Sequence, residues 1–149
     1  MKRKSLDKEK CPIARTLDVI GDWWSLLIVR DAFRGKRRFG EFQKSLGLAK
    51  NILAARLRKL ESHGVLEAGP ASYGSAYQEY ALTEKGRRLL IVLVALRQWG
   101  ESCLFEKGEL DLLLVDQKSG KPVKPLELRS QDGRILGPED LLMVGTSDR

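Results

Sequence analysis

Two cysteines and one histidine are spread over 149 residues. A structural zinc site takes four Cys or His ligands at short spacings, and a disulfide framework takes several paired cysteines. Neither can be built from this inventory. Long apolar runs are also missing. LLIVLVAL at 89–96 and LDLLLV at 110–115 fall far short of the ~20 residues that cross a bilayer. The opening MKRKSLDKEK is charged and leads into no apolar stretch, so no secretory signal is expected. The protein is expected to be cytoplasmic and off the membrane. Catalytic vocabulary is equally thin: no nucleophile–base pairing, phosphate-cradling loop or acid pair stands out. No catalytic residue, metal or cofactor is therefore expected, and the chain reads as a non-enzyme.

What is present is a core-forming chain with a lopsided charge. Hydrophobic residues make up 42% of it, and the net charge is +7 from 27 basic and 20 acidic side chains. Between Arg34 and Lys59, nine basic side chains (Arg34, Lys36, Arg37, Arg38, Lys44, Lys50, Arg56, Arg58 and Lys59) meet the single Glu41. From Glu109 to the end, six basic residues face eight acids. A positive field gathered on one segment is the footprint expected of a polyanion-binding surface, whereas a basic face kept only for solubility would be more evenly spread.

Punctuation and periodicity organise the chain. Residues 1–10 read as a flexible basic N-terminus. Residues 11–107 read as one domain, and residues 108–149 as a small β-rich appendage. Pro12 suits the first position of a helix carrying Ile13, Leu17 and Ile20 at i, i+4 and i+7. Asp22 is the expected N-cap of the next helix, whose inner face is Trp24, Leu27, Ile28 and Ala32. RFGEFQKSLG predicts a short helix anchored by Phe39, Phe42 and Leu46. After LGLA, Leu53, Leu57 and Leu60 form the buried stripe of another helix, closed by Gly64. VLEAGPASYGSAYQEYAL predicts a hairpin with a loose tip. Thr83 is the expected N-cap of one long helix running to about Phe105, with Leu89, Leu93, Leu96, Trp99 and Cys103 along one face. That helix carries more apolar surface than one domain needs. Trp23, Trp24 and Trp99 are expected in the core rather than around a ligand, and His63 at a helix end rather than on a metal.

On a helical wheel, Asn51, Ala55, Arg58, Lys59 and Ser62 lie opposite the leucine stripe, flanked by Lys50 and Arg56. A short helix, a tight turn and a second helix with a basic outer face make a helix-turn-helix. Such a helix fits the major groove, where Asn pairs bidentately with adenine and Arg with guanine. Small Ala55 would let the backbone approach the bases. The expected base readers are Lys50, Asn51, Ala55, Arg56 and Arg58. Arg37, Arg38, Lys44 and Lys59 are expected on phosphates, which position without specifying. The hairpin becomes a wing, with Ser72, Tyr73, Ser75 and Tyr77 at its tip. The fold class is then mainly α with a β-wing (α+β). The rival reading is a protein-interaction module whose basic face meets an acidic partner.

CPIARTLDVIGDWWSLLIVRDAFRGKRRFGEFQKSLG, NILAARLRKLESHGVLE and YALTEKGRRL with LRQWG together resemble the HxlR-type winged helix-turn-helix regulators, a family related to MarR proteins. The resemblance spans roughly residues 11–100. It implies a homodimer on double-stranded operator DNA, with the N-terminal helix (Ile13, Leu17) and the long C-terminal helix (Leu89, Leu93, Leu96, Trp99, Cys103) at the interface. It also implies that a small-molecule effector could sit between the DNA-binding domain and the dimer helices. Ala49 departs from the family's usual Ser or Thr cap of the reading helix. Cys11 matches the family's N-terminal cysteine. A helix N-terminus with Arg15 one turn on is a setting where a thiol is expected to react with oxidants or electrophiles. The tail is similar to a ribbon in which some members bind zinc through cysteine pairs. Here Ser119 and Asp132 hold those positions, so a metal-free β appendage is expected.

Overall fold

The computed structural model describes residues 3–71 and 77–148. The elements run α1 (Pro12–Ile20), α2 (Trp23–Phe33), α3 (Phe39–Leu46), α4 (Lys50–Ser62), β1 (Leu66–Pro70), β2 (Gln78–Leu82), α5 (Glu84–Arg87) and α6 (Leu90–Cys103). They form two compact units, one up to Leu93 and one from Val94 onward. This division lies within α6, ahead of the boundary expected at residue 108.

The first unit is a winged helix built on local signals that act as expected. Pro12 opens α1. Asp22 caps α2, its carboxylate accepting from the Ser25 amide at 3.0 Å and the Ser25 hydroxyl at 2.6 Å. Thr83 caps α5 by accepting from the Gly86 amide at 3.0 Å. The core holds Ile28, Val29 and Ala32 of α2, Phe42 of α3, Leu53, Leu57 and Leu60 of α4, and Leu66 and Leu82 of the hairpin. β1 and β2 pair antiparallel, with Leu66 opposite Leu82 and Pro70 opposite Gln78. Arg38 adds a single bridge to Glu79 on the other side of β2.

Four expectations are corrected. The N-terminal segment expected to be flexible is, over residues 3–10, tied to α1. The Asp18 carboxylate accepts from the Leu6 amide at 2.9 Å, and Arg3 donates to the Leu17 carbonyl at 3.3 Å. The long helix from Thr83 is broken after Arg87, because the Leu89 amide bonds to Gly86 at i−3, at 3.0 Å. Gly86 itself is pressed against the backbone just before β1: a Cβ there would lie 2.1 Å from the Val65 carbonyl oxygen. Trp23, expected in the core, is 83% exposed. It lies on the face of α2 opposite Ile28 and Ala32, and only Trp24 packs against the core. Trp99 is also exposed, on a helix that buries none of its residues.

The second unit holds turns at residues 117–119 and 131–132 but no paired strands among its described residues. Two isolated bridges, Val115 with Pro122 and Arg129 with Ile135, stand in for the β ribbon. Ser119 and Asp132, which the resemblance set against zinc-ligand positions, serve their own turns. Ser119 donates to Asp116 at 2.9 Å, while Asp132 accepts from the Arg134 guanidinium at 2.9 Å. The Lys118 amide and then the Ser119 hydroxyl hold the Asp116 carboxyl below the ordinary carboxylate range, and the Ser130 hydroxyl and then Arg134 do the same for Asp132.

Candidate nucleic-acid interface

α3 and α4 are joined by a turn that needs a left-handed residue, supplied by Gly47 at φ 67°. The Gly47 amide closes α3 on the Gln43 carbonyl at 2.8 Å, and the Gln43 side chain reaches across to the Leu48 carbonyl at 3.3 Å. Buried Leu48 then pins the turn to the core. α4 begins after Ala49, which offers no side-chain cap, and the Ile52 and Leu53 amides both bond to the Ala49 carbonyl at 3.1 Å. Losing such a cap costs about 1 kcal/mol. Tertiary burial outweighs that loss, since Leu53, Leu57 and Leu60 are each no more than 1% exposed.

The opposite side of α4 faces outward. Lys50, Asn51 and Arg58 are exposed and Ala55 is half-buried. Asn51, Ala55 and Arg58 therefore share one outward surface with a small residue between two polar ones.

Arg56 and Lys59 lie on another side. Arg56, expected among the base readers, is turned toward the start of α2, with Nε 3.0 Å from Asp22 Oδ2. The contact is an ion pair rather than an aligned hydrogen bond. Burial alone would raise the Asp22 carboxyl. The Ser25 hydroxyl and amide, then Arg56 and Lys59, outweigh burial and hold it below the usual range. Lys59 and Arg3 also act on Asp18, whose carboxyl is lowered chiefly by the Leu6 amide bond despite some desolvation. One flank of α4 is thus electrostatically committed to the α1–α2 corner.

The phosphate candidates divide in the same way. Lys44 is exposed on α3. Arg38 is partly exposed and stands 3.7 Å from Glu79. The Arg37 guanidinium donates to the carbonyls of Ala32 and Lys36 at 3.2 and 3.3 Å, and its own carbonyl accepts from Tyr80 at 2.7 Å. Arg37 therefore closes α2 and holds β2.

At the wing, Tyr77 is exposed, whereas Ser72, Tyr73 and Ser75 lie outside the described residues. An open groove of about 760 Å³ runs between α3 and the hairpin, lined by Arg38, Phe39, Lys44, Tyr77 and Tyr80 among others. Tyr80 meets Phe42 edge-to-face with centroids 6.5 Å apart. Burial and then Glu61 push the Tyr80 hydroxyl upward. Cys11, at the N-cap of α1, and Cys103, at the end of α6, are both exposed free thiols.

Sequence reading missed the Asp22–Arg56 pair. Asp22 was visible as a cap and Arg56 as a flanking wheel position, but their approach depends on how α2 crosses α4.

A family model described as HxlR-like helix-turn-helix matches residues 19–107, which include every element from α2 to α6. The chain belongs to this family. The HxlR-like chain is 59% identical to the candidate transcription factor PA1607, a crystal structure matched over 93% of this chain and 96% of that one with a TM-score of 0.89. It is 42% identical over 92 residues to the HTH-type transcriptional regulator Rv3095 of Mycobacterium tuberculosis, which covers 62% of this chain and 58% of the relative. The chain thus spans well under two thirds of that relative's length. It is also similar to the redox regulator HypR in its reduced form, at 34% identity and a TM-score of 0.57, over 62% of this chain and 92% of HypR. No helix among the described residues is long and apolar enough to cross a membrane.

Proposed function

We propose that this HxlR-like protein is a transcriptional regulator that binds duplex DNA as a homodimer, with α4 of each copy in successive major grooves. The observation that carries the reading is the outward surface of α4. Exposed Asn51 and Arg58 flank small Ala55 directly behind a fully buried leucine stripe, so polar donors face outward on a helix the core holds rigid. Asn51 and Arg58 meet base edges, and Lys50 meets bases or phosphate at the uncapped start of the helix. Arg38 and Lys44 grip phosphate. Arg56, tied to Asp22, orients the helix rather than reading bases, and Lys59 shares that flank. The two copies join through α1 and α6, where Ile13, Leu17, Leu96 and Trp99 are all exposed in the single chain. Paired reading helices about 34 Å apart call for a roughly palindromic operator.

Selection from random duplex DNA tests this directly. Enriched sites should be palindromic, and affinity should fall about a thousandfold between 50 and 200 mM salt if six or more phosphates are neutralised. A flat salt response would overturn the reading. Binding without sequence preference, alongside capture of an acidic protein by the same face, would favour the protein-interaction module.

The likeness to HypR supports a second element: oxidants or electrophiles modify exposed Cys11 and change operator affinity. Diamide should weaken or strengthen binding of the wild type and leave Cys11→Ser unmoved. Equal responses in both would remove Cys11 from the mechanism.

A further inference from the structure

The second compact unit poses a physical problem that the DNA-binding reading leaves open. Of residues 94–147, none is buried. Sixteen large apolar side chains between Leu96 and Val144 are exposed, among them Leu112 at 68%, Leu142 at 84% and Met143 at 93%. At a few tens of Å² or more each, they present roughly 1,000 Å² of apolar surface per chain. Residues 94–147 bury none of these side chains among themselves, and a stable interface takes about 800 Å² from each partner.

The backbone of this unit is nevertheless well organised. The Asp116 amide bonds to Lys121 at 2.8 Å, Val123 to Leu114 at 3.0 Å and Leu136 to Leu128 at 2.8 Å. The unit is also stitched to α6. The Gln98 side-chain amide donates to the Lys124 carbonyl at 3.1 Å, and its oxygen accepts from the Leu126 amide at 2.7 Å. Arg97 donates to the Leu112 carbonyl. Where α6 goes, residues 112–126 go with it.

We infer that the C-terminal unit is half of a two-chain core, covered by a second copy of this chain, so that the dimer is closed by residues beyond α6 as well as by the helix. The inference rests on the proposed dimer and extends it past residue 107, where the family match ends. Three observations select a second copy as the occupant. The segment is hydrogen-bonded through Gln98 to α6, the helix that carries the proposed interface. Its area fits an obligate interface, which resembles a domain core cut in half. The charges from Val94 onward are eight basic against ten acidic, too nearly balanced to repel an identical chain and of the wrong sign for an anionic lipid surface.

The test uses the full chain. Leu112→Glu/Leu113→Glu places two carboxylates on exposed positions next to the Arg97 and Gln98 contacts, and Leu96→Glu does the same on α6 itself. Dimer dissociation constants come from analytical ultracentrifugation over a wide concentration range, with a thermal melt of each variant to establish that the first unit stays folded. Both variants should weaken the dimer at least tenfold. Should the melt show that the double variant unfolds, Gln98→Ala replaces it, and a severalfold weaker dimer is expected. A wild-type dissociation constant for the tail variant, with a monomeric Leu96→Glu, overturns the tail inference and leaves the α6 dimer standing. A wild type that is monomeric throughout overturns both. Flotation of the wild type with phosphatidylglycerol/phosphatidylethanolamine vesicles, lost in Leu112→Glu/Leu113→Glu, would assign the surface to lipid and overturn the inference.

Discussion

The chain up to Leu93 has leucine or valine at 18 of 93 residues, and the chain from Val94 onward is richer, at 15 of 56, yet the latter buries none of them among its described residues. In the first, helices cross and a hairpin closes over them, so Phe42, Leu53, Leu57 and Leu60 lose essentially all contact with water. In the second, one helix and a series of turns satisfy backbone groups while no described side chain is buried. Hydrogen bonds of that kind each contribute about 1 kcal/mol net, less than the roughly 1–2 kcal/mol per residue lost in fixing a backbone. Turns and bridges alone therefore do not hold a segment in place. The contrast separates a region with a dry core of its own from a region with none, for which we propose association as the source of order.

Mutations should break or sharpen that contrast. The largest effect is expected in the dry core: Leu57→Ala should cost about 2–5 kcal/mol by chemical denaturation. Leu113→Ala, measured where the protein is dilute enough to be monomeric, should cost under about 0.5 kcal/mol. A matching loss at both positions would mean that the two regions are stabilised alike.

Next come the outward faces of the first region. Arg58→Ala should reduce discrimination among duplex sequences by about 1–3 kcal/mol, whereas Arg38→Ala should weaken all sequences equally and lower the salt slope by about one. A titration panel on related duplexes separates the two patterns.

The smallest effect is expected at the α2–α4 corner. Arg56→Ala leaves Asp22 with its cap contacts but without its ion pair, for a loss of about 1 kcal/mol or less. Asp22 also links stability to acid. Its folded carboxyl sits below the reference value of 3.8, so the stabilisation it adds is complete above about that pH and is lost as pH falls through the folded value. Asp22→Asn keeps a capping side chain and should lose less stability than the wild type on going from pH 5 to about pH 2. Parallel acid profiles would show that the carboxylate is not the linked group.

Most of the architecture behind the proposed DNA-binding surface was legible residue by residue. Leu53, Leu57 and Leu60 announced the buried side of α4 by their spacing alone, and that spacing placed Asn51 and Arg58 on the far side. Asp22, Thr83, Pro12 and Gly64 marked element ends through local chemistry, which needs no knowledge of distant chain. Legibility failed where a side chain had a choice of neighbours. Trp23 and Trp24 are adjacent aromatics, and only the direction from which α2 meets its neighbours sends one inward and the other to the surface. Arg37, Arg38 and Arg56 look alike as cations. Their separate duties on α2 carbonyls, near Glu79 and against Asp22 arise from crossings between elements far apart in sequence.

From its own order of residues the protein determined where α1 to α4 lie, which stripe of α4 is dry, and where positive charge accumulates. Those properties follow from backbone sterics, capping and 3.6-residue periodicity, all of which act within a few positions. Tertiary structure alone decided which cations remain available to a ligand, that the helix after Thr83 breaks where Gly86 abuts the Val65 carbonyl, and that the C-terminal unit keeps its apolar side chains uncovered. These outcomes depend on distances between segments separated by tens of residues, which local preferences do not encode.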